Sequence, residues 1–295
     1  MICSTSLSAE DIKSSEEKFL SLLELQQIKI PPEPIDWMAM HPEPGQSFAQ
    51  YIKSNPLKPD NIRKYIYISL LGDFDTKQNE IIQQTAQYME NYFGLPVKFA
   101  DPISLAHFPD SAKRIHPLTK DNQILTTYVL EEVLISKKPK DAFSYIAFTT
   151  SDLWPGEGWN FVFGQASIKN GVGVWSIYRN GDPNKSEEDF KLCRLRTIKT
   201  GTHEMGHMFS MHHCTSFECN MNGSNHRAES DRRPLWLCPI CLMKLTWNTG
   251  QDPSERYKRL LNSSRTLGME NEQKFFERSI EQLGKKFQGS ASSEV

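Results

Sequence analysis

The sequence of 295 residues lacks the features that direct a protein to a membrane or to secretion. No apolar run approaches the roughly 18 residues that a membrane-spanning helix requires. The N-terminal stretch MICSTSLSAEDIKSSEEKF has acids and serines where a signal peptide has a basic start and an apolar run, and the C-terminal QGSASSEV resembles no lipidation signal. We therefore expect an intracellular protein, cytoplasmic or nuclear, without membrane contact.

The chain also lacks an excess of charge of either sign. Its 34 Lys and Arg residues face 36 Asp and Glu residues, for a formal net charge of -2. No global positive field is available to hold a polyanion, which argues against nucleic acid as a partner. Internal repeats and long low-complexity tracts are absent as well. The apolar fraction of 38% is ordinary, so we expect a soluble, monomeric protein that buries a full core.

Cysteine is scarce and unevenly distributed. In a reducing compartment, the six cysteines are thiols or metal ligands more often than disulfides. The stretch THEMGHMFSMHHCTSFECNM, from Thr202 to Met221, nevertheless contains four of the eight histidines and two of the six cysteines. Such a concentration indicates either a metal site or a polar cluster that is rich in histidine.

Strand and helix patterns alternate before this stretch. Short β-branched and aromatic runs, KYIYISLLG, PVKFA and AFSYIAFTT, predict buried strands. Between them, TKQNEIIQQTAQYMENYFG and DNQILTTYVLEEVLISKK predict helices, the first of which ends at Gly94. This alternation is typical of an α/β fold in which helices pack on an at least partly parallel sheet.

Two further extended segments, NFVFGQAS and GVGVWSIY, predict a hairpin at one side of the sheet, because Asn170-Gly171 between them favours a turn with positive φ. A helix then begins near Asp189 and runs into Thr202. The histidine-rich stretch therefore lies at the end of a helix.

The flanking regions predict packing elements. An amphipathic helix over about Ser14 to Ile28 precedes the proline-rich loop KIPPEPIDWMAMHPEPG, and together they are interpreted as an arm wrapped on the domain. Near the other end, Asp252, Pro253 and Glu255 predict the N-cap, N1 and N3 positions of a helix. A second amphipathic helix is predicted over about Glu270 to Phe287.

His203 and His207 are four residues apart, so on a helix both imidazoles project from one face and can hold one metal ion. Glu204 is too close in sequence to chelate comfortably with this pair, but it can reach a metal-bound water. These residues form the pattern H-E-x-x-H. The alternative is a pair of hydrogen-bonded core histidines on an apolar helix face.

A third histidine follows at the spacing of an elongated motif. His213 stands six residues after His207, as in H-E-x-x-H-x-x-G-x-x-H of metzincin proteases. Ser210 occupies the glycine position of that pattern, which implies some strain or a modified turn, since the glycine relieves a backbone with positive φ. His212 could in principle replace His213, but the spacing favours His213.

Four cysteines lie close behind, in C-x4-C and C-x2-C pairs, and such pairs form the ligand set of a closed tetrahedral zinc site. They are Cys214, Cys219, Cys238 and Cys241. The alternative is a disulfide between Cys214 and Cys219, or between Cys238 and Cys241.

The combined pattern H-E-x-x-H-x-x-[G]-x-x-H-C-x4-C-x-M, followed by C-x2-C, resembles the archaemetzincin (archaelysin) family of zinc metallopeptidases. The segment GSNHRAESDRRPLWLCPICLMKL is most similar to the animal branch. This resemblance covers about residues 160 to 245, and it implies two zinc ions per chain. The implied ligands of the catalytic zinc are His203, His207 and His213, with Glu204 as the general base, and those of the structural zinc are Cys214, Cys219, Cys238 and Cys241.

The resemblance also implies an architecture. We expect a metzincin-like catalytic domain with a mixed, mostly parallel sheet, an active-site helix and a zinc-stapled C-terminal subdomain. Met221 matches the methionine of the Met-turn beneath the catalytic metal, and NFVFGQAS resembles the edge strand that binds an extended peptide. The division that follows is an N-terminal arm (1–60), a catalytic domain (61–250) with the structural zinc segment 214–241, and C-terminal helices (251–295).

The ligand set predicts amide-bond hydrolysis of a peptide or protein substrate. Three neutral imidazoles leave zinc an open position, so a bound water would titrate near neutrality and Glu204 could accept its proton. One alternative is a non-hydrolytic zinc module that acts as a protein-binding scaffold. Another is a gluzincin-type site whose third ligand is Glu229, 22 residues after His207.

The remaining histidines and cysteines are interpreted as structural or surface residues. Cys193 is expected to be a buried small hydrophobe and Cys3 to be exposed. His226 is expected to be structural rather than in contact with substrate. Three histidines in proline-flanked loops are expected at the surface: His41, His107 and His116.

Overall fold

The computed structural model of the chain describes residue 19 and residues 21–289. The chain forms two compact units, and it passes between them twice, after Pro56 and again after Ser210, inside the histidine motif. The first, here called the sheet unit, is Leu57–Ser210. The second, here called the cysteine unit, combines Met1–Pro56 with Met211–Val295. The predicted division into arm, catalytic domain and C-terminal helices stays a prediction.

Eight strands lie in the sheet unit. They are β1 (Tyr65–Leu71), β2 (Val97–Phe99), β3 (Lys113–Ile115), β4 (Asn122–Leu125), β5 (Ala142–Thr149), β6 (Asp152–Trp154), β7 (Gly164–Ser167) and β8 (Val172–Ser176). Five of them form a sheet in the order β2-β1-β5-β8-β7, in which only β7 runs antiparallel to its neighbour. The other three form a small sheet in the order β3-β4-β6. The expected mixed, mostly parallel sheet is confirmed.

The helices of the described residues are divided between the two units. They are α1 (Trp37–Met40), α2 (Phe48–Lys53), α3 (Thr76–Phe93), α4 (Thr126–Tyr128), α5 (Ile135–Lys137), α6 (Glu187–Met208), α7 (Arg227–Arg232), α8 (Pro239–Thr249), α9 (Pro253–Thr266) and α10 (Glu270–Gly289). A π-helix, Val129–Leu134, joins α4 to α5. Helices α3 to α6 belong to the sheet unit. Within the described part of the chain, no helix has both the length and the apolar character needed to cross a membrane.

The core of the sheet unit is built on the central strands and two long helices. All eight residues of β5 and all five of β8 are buried, as expected of parallel strands covered on both faces. Helix α3 starts at a capping box between Asp75 and Gln78 and ends at Gly94, which has φ +65°. It packs against α6. Helix α3 and the strands of the sheet thus hold α6, the helix that carries His203 and His207, in place.

Two predictions for the sheet unit are wrong in part. The segment DNQILTTYVLEEVLISKK does not start as a helix, because Asn122–Leu125 form β4 and pair with β3 and β6. The buried Gln123 amide also donates to Asp152 at 2.8 Å. In NFVFGQAS, the strand begins only at Gly164, since Val162 bridges to Leu153 instead. In both places tertiary pairing overrides the local pattern.

One prediction for the cysteine unit is wrong in part. The helix expected over Ser14 to Ile28 lies outside the described residues up to 18. Of the described residues, Phe19 is helical, Leu23–Leu25 form a 3₁₀ turn, and Ile28 makes a bridge with Phe217. The chain is extended there because its backbone pairs with residues 216–218, as in the bond from Lys29 N–H to Ser216 O. The two helices predicted near the C-terminus are present as α9 and α10, which pack together.

Candidate active site and metal centres

Helix α6 brings His203 and His207 together. Its N-terminus is capped by Ser186, whose hydroxyl accepts a hydrogen bond from the Asp189 N–H, and acids fill its first turn. The two imidazoles project one turn apart, with their Nε2 atoms 3.2 Å apart and their rings perpendicular. Two nitrogen ligands of one tetrahedral zinc ion lie about 3.4 Å apart, given Zn–N bonds of about 2.0 to 2.1 Å. The pair therefore fits a metal ion.

Glu204 lies between these histidines, half-buried, and faces the edge of the sheet. A Cβ atom built on Gly164, the first residue of β7, would lie 3.3 Å from Glu204 Cγ and would overlap the indole of Trp175. Only glycine allows the strand to approach this closely without a shift of its neighbours. Because β7 is the antiparallel edge strand, Glu204 stands next to the strand predicted to receive a peptide.

Ser210 ends the helical part of the motif. It has φ +63°, so a serine adopts the left-handed conformation that glycine has in the metzincin pattern. Its N–H donates to His207 O at 2.8 Å, and its hydroxyl accepts from the Leu57 N–H at 3.1 Å. The backbone turn predicted at this position is therefore present despite the missing glycine.

His213 belongs to the cysteine unit and is held by a carboxylate. Its Nδ1 lies 3.0 Å from both oxygens of Glu43, and the indole of Trp37 meets its ring edge-on. Burial lowers the pKa of His213, while the Glu43 carboxylate opposes this effect. With Nδ1 engaged, Nε2 is the nitrogen with which this ring could bind a metal. His212 is exposed and donates its backbone N–H to Gln46.

The structure brings the four motif cysteines into one buried cluster. Their Sγ atoms all lie within 4.8 Å of one another, and none of the four forms a disulfide. Cys214 and Cys238 are 3.6 Å apart at sulfur. The edge of a tetrahedron with Zn–S bonds of about 2.3 Å is about 3.8 Å, so the cluster matches a zinc site. The disulfide alternative is wrong.

The electrostatics of the cluster also fit a cation. Hydrogen bonds from the Cys219 and Cys238 thiols lower the pKa of Cys214. Burial raises the pKa of Cys219, and the neighbouring thiols raise that of Cys241. A divalent metal ion would allow all four thiols to ionise together, because it offsets their mutual repulsion.

The loop between the two motifs is organised by Asn222, which sequence analysis missed. This fully buried amide donates to Cys214 O at 2.7 Å and accepts from the Cys219 N–H at 2.9 Å. Cys214 N–H also donates to Met221 O at 2.8 Å. The buried Met221 is thus tied directly to the residue that follows His213. An asparagine next to the motif methionine was the only available signal, and it is weak.

Glu229 is engaged elsewhere in the cysteine unit, which argues against the gluzincin alternative. Its carboxylate is buried and accepts hydrogen bonds from the backbone N–H groups of Trp37 and Asn225. His226, at the N-cap of α7, accepts from the Glu229 N–H and contacts Asp36. The structural role expected for His226 matches these contacts.

The predictions for the remaining histidines and cysteines are confirmed in part. His41 and His107 are exposed, as expected, and Cys193 is buried beside Ile81 and Phe190. His116 is a correction, because it is buried: its Nδ1 accepts hydrogen bonds from two backbone N–H groups of the turn that follows it. Cys3 lies outside the described residues.

An α/β fold that carries H-E-x-x-H on a long helix, next to an antiparallel edge strand, defines a zinc metallopeptidase. The chain belongs to the archaemetzincin family of these enzymes. The profile described as "Peptidase family M54" matches residues 140–247. Archaemetzincin-2 of Macaca fascicularis is 38% identical over 260 residues, which cover 77% of this chain and 71% of the relative. The sequence resemblance to the family is therefore confirmed.

More distant relatives are archaemetzincins as well. Archaemetzincin-1 of Homo sapiens is 29% identical over 256 residues, which cover 76% of this chain and 51% of the relative. A crystal structure of archaemetzincin from Methanopyrus kandleri is 26% identical, with a TM-score of 0.51, and the match covers 65% of this chain and 99% of the archaeal one. The core fold is thus shared with an archaeal relative.

Proposed function

We propose that this metallopeptidase hydrolyses peptide bonds at a zinc ion held by His203, His207 and His213, with Glu204 as the general base. The observation that carries the proposal is the approach of the His203 and His207 Nε2 atoms to 3.2 Å on α6. The motif spacing supports His213 as the third ligand. Bound zinc would supply Lewis acidity, which lowers the pKa of a water molecule and polarises the scissile carbonyl.

The side chains of the chain itself have distinct tasks in this proposal. Glu204 would take a proton from the attacking water and return it to the leaving amine. Its position beside Gly164 supports this role, since a peptide added to the outer edge of β7 would run past the carboxylate. Main-chain hydrogen bonds would then orient the substrate, and the side chains of the substrate would extend to alternate faces.

A second, structural zinc is proposed for the four cysteines. Their burial, their mutual distances and the absence of disulfides among them support a closed site with no position for substrate. Two backbone N–H groups, those of Met221 and Cys238, point at the Cys219 sulfur, at 3.5 and 3.2 Å. Such contacts stabilise the negative charge of a ligand and orient it.

Glu204→Gln tests the catalytic assignment. We expect this variant to keep its zinc and to lose cleavage of a fluorogenic peptide library, because a carboxamide cannot accept the proton. Glu188→Gln, in the first turn of the same helix, is the matched control and should cleave like the unmodified protein. Metal analysis of both variants should show the same zinc content as in the unmodified protein. Equal activity in Glu204→Gln would remove the general-base role.

The same library tests the non-hydrolytic alternative, a zinc module that serves as a scaffold. Family membership favours the peptidase. If the two-zinc protein cleaves no sequence in the library and a stable protein partner is recovered instead, the hydrolytic proposal fails.

A further inference from the structure

Glu43 lies in the loop HPEPG, in the segment interpreted from sequence as a peripheral arm. Its carboxylate nevertheless meets the ring of His213, 170 residues away in sequence, with both oxygens 3.0 Å from Nδ1. The side chain of Glu43 is 27% exposed and that of His213 is 17% exposed, so water competes weakly for this contact. The arm thus contributes a charged group to a residue of the proposed active site.

The carboxylate is itself held in place. The indole Nε1–H of Trp37 donates to Glu43 Oε1 at 2.5 Å, and the Trp37 ring packs edge-on against His213 at a centroid distance of 5.1 Å. The backbone N–H of Trp37 donates in turn to the buried carboxylate of Glu229. A Cβ atom on Gly223 would overlap the Trp37 indole, so the backbone at Gly223 lies close against this side chain.

The segment after Glu43 is fixed against the segment after His213. Gly45 has φ +72°, and a Cβ atom there would overlap the Thr215 hydroxyl. Gln46 accepts two hydrogen bonds. Its side-chain oxygen accepts one from the His212 N–H, and its backbone oxygen accepts one from Lys244 Nζ. Residues 43–46 therefore follow residues 212–215 closely, which leaves Glu43 little freedom to turn away.

A carboxylate on the Nδ1–H of a histidine has three effects on the opposite nitrogen. It selects the tautomer in which Nε2 carries the lone pair, it fixes the plane of the ring, and it makes Nε2 a stronger base. Each of these effects favours metal binding through Nε2.

We propose that Glu43 positions His213 as a zinc ligand, so that the N-terminal arm completes the catalytic centre. This inference rests on the proposed function, since it takes His213 to be a ligand. Glu43 acts through His213 and is a positioning residue, and Trp37 acts through Glu43.

Cobalt binding by the full-length protein tests this role without reliance on cleavage. The four-thiolate site gives intense sulfur-to-metal charge-transfer absorption, whereas a histidine site does not, so the two sites can be followed separately. Competition with a chelator then gives the affinity of each. We expect Glu43→Ala to weaken the histidine site by roughly 10-fold to 100-fold, the usual effect of such a partner, and to leave the thiolate site unchanged.

Three further variants sharpen the test. Glu43→Asp keeps a carboxylate on a shorter side chain and should restore part of the affinity. Trp37→Phe keeps an aromatic ring but removes the indole donor, and it should weaken the histidine site less than Glu43→Ala does. Glu33→Ala, an exposed acid of the same segment, is the matched control and should change neither site.

The inference would be overturned if the cobalt affinity of the histidine site in Glu43→Ala were within twofold of that in the unmodified protein. So would an equal loss at both sites, because that indicates general unfolding instead of positioning. The proposed function fails separately. If His213→Ala retains full affinity at the histidine site, the ligand assignment is wrong, and if the unmodified protein cleaves no peptide while Glu43→Ala still loses affinity, only the hydrolytic step is refuted.

Discussion

The hydroxyl of Ser210 accepts a hydrogen bond at 3.1 Å from the backbone N–H of Leu57, the residue that opens the sheet unit. Ser210 closes that unit, and it has φ +63° at the position where the metzincin pattern has glycine. A left-handed conformation costs an L-residue about 1 to 2 kcal/mol. The hydrogen bond offsets part of that cost, since a typical one contributes about 1 kcal/mol.

Two substitutions at Ser210 separate these terms. Ser210→Ala keeps the strained backbone and loses the hydrogen bond, so it should unfold about 1 kcal/mol more easily than the unmodified protein. Ser210→Gly loses the same bond but also relieves the strain, and its stability should remain within about 1 kcal/mol of the unmodified protein. Urea unfolding gives both values. An alanine variant as stable as the glycine variant would contradict this account of the turn.

Gly164→Ala should disturb Glu204 without touching a metal ligand. The added methyl group meets the rigid indole of Trp175 and lies 3.3 Å from Glu204 Cγ, so strand or helix must shift. We expect at least a roughly tenfold lower kcat, by analogy with the loss caused by small misplacements of catalytic groups, and unchanged zinc content.

Gly173→Ala on the neighbouring strand is the matched control for this variant. Its added methyl group would also face Trp175, but at an ordinary contact distance of 3.4 Å or more, and Glu204 is not among its near neighbours. This variant should keep kcat near the original value. Equal losses in the two variants would show that kcat responds to strand packing in general and not to the position of Glu204.

The zinc content of the proposed histidine site should depend on the proposed four-cysteine site, but not the reverse. Cys214 follows His213 directly, and its N–H is bonded to Met221 O. Cys238→Ser should therefore lower the zinc content of both sites, because a structural zinc contributes on the order of 10 kcal/mol to its local fold. His207→Ala should empty only the catalytic site. Metal analysis of the two variants decides this, and full catalytic zinc with normal activity in Cys238→Ser would show that the sites are independent.

Asn222→Ala should destabilise the loop that carries Cys214 and Cys219. The buried amide donates to two carbonyl groups, those of Cys214 and Phe217, and accepts from the Cys219 N–H. Leaving such groups unpaired costs roughly 1 to 3 kcal/mol each, and we expect a total loss of about 3 kcal/mol. Urea unfolding measures it, together with the rate of zinc loss to a chelator, which should rise. Asn225→Ala is the control. It removes only a solvent-exposed hydrogen bond from the side-chain amide to Ile35 O, and it should change neither the stability nor the rate of zinc loss appreciably.

Elements with local signals were predictable from sequence. Helix α3 lies between Asp75 and Gly94 because a capping box and a left-handed glycine act within one turn of a helix end. The metal motifs are local in the same sense. His203 and His207 must share a face at a spacing of four residues, whatever the rest of the fold does.

The sequence by itself determined the family, the α/β class and the motifs of the proposed metal ligands, because each depends on short spacings between neighbours in the chain. Only the tertiary structure decided that residues 122–125 pair as a strand, that residues near Ile28 are extended, and that His116 is buried. It also decided the contacts of Glu43 with His213 and of Leu57 with Ser210, which span 170 and 153 residues. No local pattern encodes such contacts, since their free energy arises from groups that meet only after the chain has folded.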